Sequence, residues 1–211
     1  MNYKHHIIHN FPPNYPFWKK ILANIIFFFG GMIVHKRKNL LNNWDFIRAT
    51  HKLKEGDVVL VGGMRRVVSF VIGIPINHCL IYRGKRRFVH SVADGVEYAS
   101  FHDVFCEYDT MAVLRPKNIS QSAVVKAIEF AEQQVGKPYN YDLLKTKNDA
   151  FCCTQLVDGC YKNVGFDCGL KSEDLIKPTD FINEAFETIF VSHNLKFNNG
   201  KFELLENISN K

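Results

Sequence analysis

The chain of 211 residues lacks the features that would assign it to several common classes. Its six cysteines, at 79, 106, 152, 153, 160 and 168, include no Cys-x-x-Cys pair, so neither a zinc ribbon nor a thioredoxin-like redox motif is indicated. There is no internal repeat and no low-complexity linker, which excludes a solenoid or a fibrous protein and leaves room for one domain with a real core. The net charge of +6 is moderate and spread along the chain. Without a long basic run or an RNA-binding motif, it favours an acidic membrane surface over nucleic acid. No secretory signal is evident, because the residues before the first apolar run are long and broken by Pro12, Pro13 and Pro16, so the cysteines are expected to be mostly reduced thiols.

What is present centres on Cys152-Cys153. Counting from Cys153, apolar or small side chains fall at Leu156, Val157, Cys160, Tyr161 and Val164, the stripe of one helical face, and Gly165 follows as a C-terminal cap. Cys153 therefore points inward from the first turn of a helix, where the backbone dipole and free N–H groups favour a thiolate. Cys152 is rotated off the stripe by about 100°.

A nucleophilic thiol needs a base. Asn77–Tyr82 reads as a buried strand and Arg86–Val92 as its alternating partner, with Arg83-Gly84-Lys85 between them. A three-residue loop sets Tyr82 against Arg86 and therefore His78 directly opposite His90, on one face. A slip of one residue would separate the two rings. Cys153 as nucleophile, His78 as base and His90 as the ring that fixes the tautomer of His78 form a complete set for covalent acyl chemistry. The remaining cysteines read as core, and the other histidines as surface or structural.

Four motifs in order, Gly56-Asp57-Val58-Val59-Leu60, Asn77-His78 opening a strand, Gly136-Lys137-Pro138-Tyr139-Asn140-Tyr141-Asp142, and Phe151-Cys152-Cys153-Thr154-Gln155-Leu156-Val157, resemble the YiiX/YebB-like branch of the circularly permuted NlpC superfamily. The resemblance spans roughly residues 50 to 185. It implies an α+β permuted papain-like fold, an antiparallel sheet packed against the cysteine-bearing helix, with Cys153 as nucleophile, His78 as base and no cofactor or metal. Tyr139 and Tyr141 fall in the loop entering the cysteine helix, where either phenol can line the pocket or simply pack; the family's Gly-x-Pro-Tyr pattern implies Tyr139. Many members of this branch carry a carboxylate where His90 stands. A His-His-Cys set is more similar to the lecithin:retinol acyltransferase-like proteins, and Thr154-Gln155 replaces the family's Ser-Glu.

Ahead of this body, Ile21–Val34 is apolar and flanked by Lys19-Lys20 and by His35-Lys36-Arg37-Lys38. As a helix it would reach about 21 Å, short of the roughly 30 Å hydrocarbon core. Two readings stand: an interfacial anchor with basic ends, or a helix covering the hydrolase core. A second apolar run, Val67–Ile76, leads into Asn77-His78 and offers either core packing or a place for an acyl chain. Further along, Asp94-Gly95 reads as a turn into Val96–Ala99, Met111–Arg115 as a strand stopped by Pro116, Ser120 as the N-cap of a helix with stripe Val124, Ala127, Ile128, Ala131 and Val135, Pro178 as the start of a short helix, and Asn199-Gly200 as a hairpin turn.

The expected organisation is an apolar and basic extension over residues 1–45, a hydrolase domain over 46–190, and a C-terminal hairpin or tail over 191–211. The expected function is a thiol acyl hydrolase or acyltransferase, peripheral to a membrane, acting on a lipid or another acylated molecule. An amidase or peptidase for cell-wall-like peptides is the alternative within the enzyme class. A membrane-associated scaffold with a vestigial site is the alternative outside it.

Overall fold

A computed structural model describes residues 7–30, 41–63, 75–142, 149–170, 175–198 and 200–205. The apolar positions 31–34 and the basic run 35–38 lie outside the described residues, as do 67–74 of the second apolar run and Asn199. Ile76, the last residue of that run, is fully buried in the core.

One six-stranded antiparallel sheet organises the chain. Its strands are β1 (Val58–Gly62), β2 (His78–Gly84), β3 (Arg87–Val92), β4 (Gly95–Ser100), β5 (Thr110–Pro116) and β6 (Phe186–Val191). Their spatial order is β4-β3-β2-β1-β5-β6. The central strands read as near-continuous hydrophobic runs because both faces are covered. On one face Leu60, Cys79, Ile81, Val89, Ala112 and Leu114 pack against α4 (Gln121–Gln133) and α5 (Cys153–Lys162). On the other, Val59, Val61, Leu80, Phe88, Met111 and Val113 form a second cluster with Ala49 of α2 (Asn43–Lys52) and Phe101 and Val104 of α3 (Phe101–Glu107). This is an α+β fold with the sheet against the cysteine-bearing helix, as expected.

The helices begin where their capping residues stand. Ser120 Oγ accepts the Ala123 N–H at 3.2 Å, and of the expected stripe Val124, Ala127, Ile128 and Ala131 are buried, while Val135 lies past the helix end and is partly buried. Asn42 and Asp45 close α2 with a reciprocal capping box, Ser100 and Asp103 do the same for α3, and neither helix has a long enough stripe to announce itself in sequence. In α5, Leu156, Val157, Cys160 and Tyr161 are fully buried. Gly165, at φ 74°, ends it: the Phe166 N–H reaches back to Tyr161 O at 3.0 Å in a Schellman arrangement.

Three readings of turns and strand ends change. The β2–β3 loop is two residues, Lys85-Arg86, both at positive φ (51° and 58°), rather than Arg83-Gly84-Lys85. That is the backbone whose twist matches a hairpin. Tyr82 pairs with Phe88, not Arg86, and a bulge lies between Tyr82 and Gly84. The next turn is Ala93-Asp94, since Gly95 already pairs with Val92. Pro116 does not stop β5 but is its last residue, opposite Phe186. Near the C-terminus, Pro178–Phe181 forms a 3-10 helix, and Leu195–Asn198 (β7) pairs with Lys201–Leu204 (β8). Leu195 and Phe202 of that hairpin belong to the main core.

Helix α1 (Phe17–Gly30) is different in kind. Only Ala23 is buried, while Phe17, Trp18, Ile21, Leu22, Ile25, Ile26, Phe28 and Phe29 are all exposed, Phe17 by 77%. It is tied to the body by a few contacts. Lys19 Nζ pairs with Asp142 at 3.0 Å, Phe27 meets Tyr139 and Tyr141 edge-on, Ile8 N–H donates to Asn24 Oδ1 at 2.8 Å, and Asn10 Nδ2 donates to Asp94 O and Gly136 O. No helix among the described residues is long and apolar enough to cross a membrane.

Candidate active site

Cys153 is the first residue of α5 and Cys152 its N-cap. The first N–H groups of a helix have no partner inside it, so the Cys153 sulfur sits in a positive field. The Cys152 N–H donates to Gln155 Oε1 at 3.1 Å, and the same oxygen accepts from Asn140 Nδ2 at 3.0 Å. Gln155 thus holds the helix start to the loop that carries Tyr139. A glutamate in this position would accept the same two bonds, so the exchange for glutamine keeps the scaffold and removes the charge.

The two adjacent thiols are driven in opposite directions. Burial pushes Cys152 upward, and its Sγ lies 3.2 Å from Thr154 Oγ1. Cys153 is held well below the ordinary thiol range, first by a hydrogen bond from the Cys79 thiol, against its own burial, and then by the charge and hydrogen bond of the His78 ring. Cys79 is correspondingly pushed well up, by burial first. Of this thiol pair the thiolate belongs on Cys153, which alone has a helix N-terminus and an imidazole beside it. Cys79 was legible only as a core residue, and it is one, fully buried; its bond to Cys153 depends on a strand and a helix that meet only in the tertiary structure.

His78 and His90 come together by a route other than the one expected. In the observed register His90 stands opposite position 80 and His78 opposite position 92, continuing the pairs Ile81 with Val89 and Tyr82 with Phe88. The slip relative to the expected pairing is two residues, which keeps both rings on one face as diagonal neighbours. His78 Nε2 and His90 Nδ1 are 3.0 Å apart. Strict alternation gives Cys79, not His78, to the α5 side of the sheet. His78 is the first residue of β2, at the strand's end, and its charge favours the Cys153 thiolate even though strand parity gives it to the other face. Tyr108, for which the sequence carries no signal, stacks on His78 with centroids 5.7 Å apart and planes 12° from parallel. His90 is 4% exposed, and burial draws its basicity down, opposed by Glu97 and reinforced by His78.

A cavity of about 190 Å³ opens on this corner. Cys153, Cys152, Thr154, Gln155, Asn77 and Tyr139 line it, with Leu175–Pro178 across from them. The Tyr139 phenol is pushed well above its ordinary range, first by burial and then by the neighbouring thiols. Its ring lies 5.1 Å from that of Tyr141 and 6.2 Å from Phe27 of α1. Of the remaining histidines, His193 is bound to Asp45 through Nδ1 at 2.5 Å and belongs to the packing of α2, and His102 lies beside Cys106 on α3.

A solved structure with the same architecture is the metalloprotein YiiX from Escherichia coli O157:H7, with a TM-score of 0.56 and 18% identity, covering 67% of this chain and 98% of that one. Among the described residues here, no group of three or more His, Cys, Asp or Glu side chains is arranged to hold an ion, and His78 Nε2 is already engaged by His90. No curated protein matches the sequence. A family model for permuted papain-like amidases, YaeF/YiiX, C92 family, matches residues 52–195, a span that takes in every strand of the main sheet together with Cys153, His78, His90 and Tyr139. The chain belongs to this family of cysteine-type, papain-like hydrolases.

Proposed function

We propose that the protein cleaves or transfers an acyl group through a thioester on Cys153, with His78 as base and His90 orienting it. What supports this reading is the Cys153 thiol at the N-terminus of α5, its thiolate favoured by the Cys79 thiol and by the charge of the His78 ring, which is itself bound by His90 at 3.0 Å. His78 takes the thiol proton, the sulfur attacks an ester or amide carbonyl, and the C–S bond forms as the carbonyl oxygen becomes anionic. Cys153 and Tyr139 both line the cavity, and we assign the oxyanion to the Cys153 backbone N–H, which has no partner inside the helix, and to the Tyr139 phenol. The tetrahedral intermediate collapses with the His78 proton passing to the leaving amine or alcohol. Water, or an acceptor hydroxyl or amine, then gives up a proton to His78 and releases the acyl group.

The favoured substrate is a lipid or acylated molecule at a membrane surface. Its support is α1, which exposes nine large apolar side chains and touches the cavity-lining Tyr139 through one of them, Phe27. An apolar surface of this kind on a folded protein marks an interaction site. The second reading, an amidase for peptides, is favoured by the family's description as amidases. Incubating the protein with a lipid ester and, separately, with a murein peptide, then trapping the acyl-enzyme and identifying it by mass spectrometry on the Cys153 peptide, distinguishes them. An adduct only from the lipid supports the first reading and an adduct only from the peptide the second. No adduct on Cys153 from either, with a thiol no more reactive than free cysteine, would point to a scaffold.

A further inference from the structure

The His78–His90 pair does not end at His90. Glu97 stands directly opposite His90 in the β3–β4 register, and its Oε1 is 3.4 Å from His90 Nε2. That nitrogen is buried and has no hydrogen-bond partner among the described residues. The carboxylate is half-exposed, while the ring it faces is 4% exposed. We propose that Glu97 is a positioning residue that fixes the tautomers of both histidines and so selects the nitrogen with which His78 meets Cys153.

Donors and acceptors must match along the row. A carboxylate only accepts, so a Glu97 contact requires the proton of neutral His90 on Nε2. Nδ1 of His90 is then an acceptor, and at 3.0 Å it requires a donated N–H from His78 Nε2. His78 Nδ1 is left without a proton, the form that can take one from the Cys153 thiol. When it does, His78 carries a positive charge with Nε2–H still donated to His90, and no proton moves further along the row. The opposite tautomers would aim two lone pairs, His90 Nε2 and the Glu97 oxygen, at each other and would leave His78 Nδ1 already protonated against the thiol. Glu97 therefore does with one charge what a carboxylate in place of His90 would do directly. Glu107 adds a weaker negative field at His90, Asp103 is bound to Ser100, Tyr108 stacks on His78, and Cys79, Cys152 and Tyr139 flank Cys153. Of the carboxylates in this set, Glu97 is the one facing a ring nitrogen.

The inference rests on the Cys153–His78 pair acting as proposed above, and its test separates the two. Alkylation of Cys153 by iodoacetamide in the full chain is followed by mass spectrometry between pH 5 and pH 10 for the wild type, Glu97→Gln, Glu97→Asp, His90→Ala and the His90→Ala/Glu97→Gln pair. The expected result is a pH midpoint that rises in Glu97→Gln, a rate near pH 6 lowered by about fivefold, an unchanged rate at the alkaline plateau, and partial recovery in Glu97→Asp. In the His90→Ala background the Glu97 substitution should add nothing. A Glu97→Gln profile that superimposes on the wild type, a loss equal at every pH, or an equal effect without His90 would each overturn the role of Glu97 while leaving the Cys153–His78 pair intact. A wild-type thiol no more reactive than free cysteine would remove both. If Glu97→Gln fails to fold, Glu97→Asp carries the same comparison through its own pH midpoint.

Discussion

His78 Nε2 lies 3.0 Å from His90 Nδ1, although the two residues are offset by two positions across the β2–β3 hairpin rather than directly paired. The bond spans a diagonal, so it depends on the right-handed offset of neighbouring strands as well as on which face each ring occupies. Its consequence is that His78 has its Nε2 committed to His90, so that under the proposed mechanism Nδ1 is the nitrogen left to serve as base.

Removing the base should expose the dependence of the thiol on it. In His78→Ala the Cys153 sulfur keeps the helix N-terminus and the Cys79 bond but loses the imidazole, so its pH midpoint for alkylation should rise toward that of an ordinary thiol. Turnover should fall by a factor on the order of 10² to 10⁴, and Cys153→Ala should abolish it while Cys152→Ala leaves it measurable. Rates of acyl-enzyme formation in the three variants check this. Equal losses in Cys152→Ala and Cys153→Ala would reassign the nucleophile.

Acid should weaken the fold through His90. Burial lowers its folded-state basicity below that of the unfolded chain, where a histidine titrates near about 6.5. The unfolded state then binds the extra proton first. Stability is therefore full above about pH 6.5 and declines as pH falls from there toward the lower folded value. Urea midpoints for the wild type and His90→Gln at pH 7.5 and pH 5.5 test the sign: the acid loss should be smaller in the variant.

The loop that presents Tyr139 is anchored on Gly95. At φ 108° it adopts a backbone that L side chains rarely take, and a Cβ there would sit 2.2 Å from Lys137 O. That carbonyl accepts the Val96 N–H at 2.8 Å, and Val96 O accepts the Gly136 N–H at 2.8 Å. Gly95→Ala should cost more than about 2 kcal/mol, because it adds a backbone clash to the strain. Gly136→Ala, with a φ of 90° and nothing near its Cβ, should cost about 1 kcal/mol. Denaturant titration of the pair compares clash with strain alone.

If α1 seats the protein on acidic lipid, charge on its outer face should prevent it. Leu22 and Ile26 are exposed and one turn apart. Leu22→Glu/Ile26→Glu should reduce co-flotation with phosphatidylserine-containing liposomes by about tenfold or more while leaving Cys153 alkylation in solution unchanged. Undiminished flotation would leave the peptide-amidase reading as the better supported one.

Elements that repeat at a fixed period or begin at a chemical signal were legible from the order of residues. The 3.6-residue stripe of α4 and α5, the Ser120 cap, the Gly165 stop and the apolar central strands all follow from which side chains leave water and which satisfy a helix end. For the same reason Cys153 could be chosen over Cys152 from helical phase, and His78 and His90 could be assigned to one face from strand parity. Helices α2 and α3 and strand β6 were not legible, since short elements carry too little periodicity to stand out against their surroundings.

Tertiary structure alone decided the rest. A two-residue turn and a bulge moved the hairpin register by two, and parity survived only because the shift was even. Cys79, Tyr108 and Glu97 reached the site from two strands and a helix end, at distances the chain order does not encode. Phase and composition set the direction in which a side chain points. What it meets depends on turn geometry, strand twist and helix placement, which are fixed only when the whole core packs.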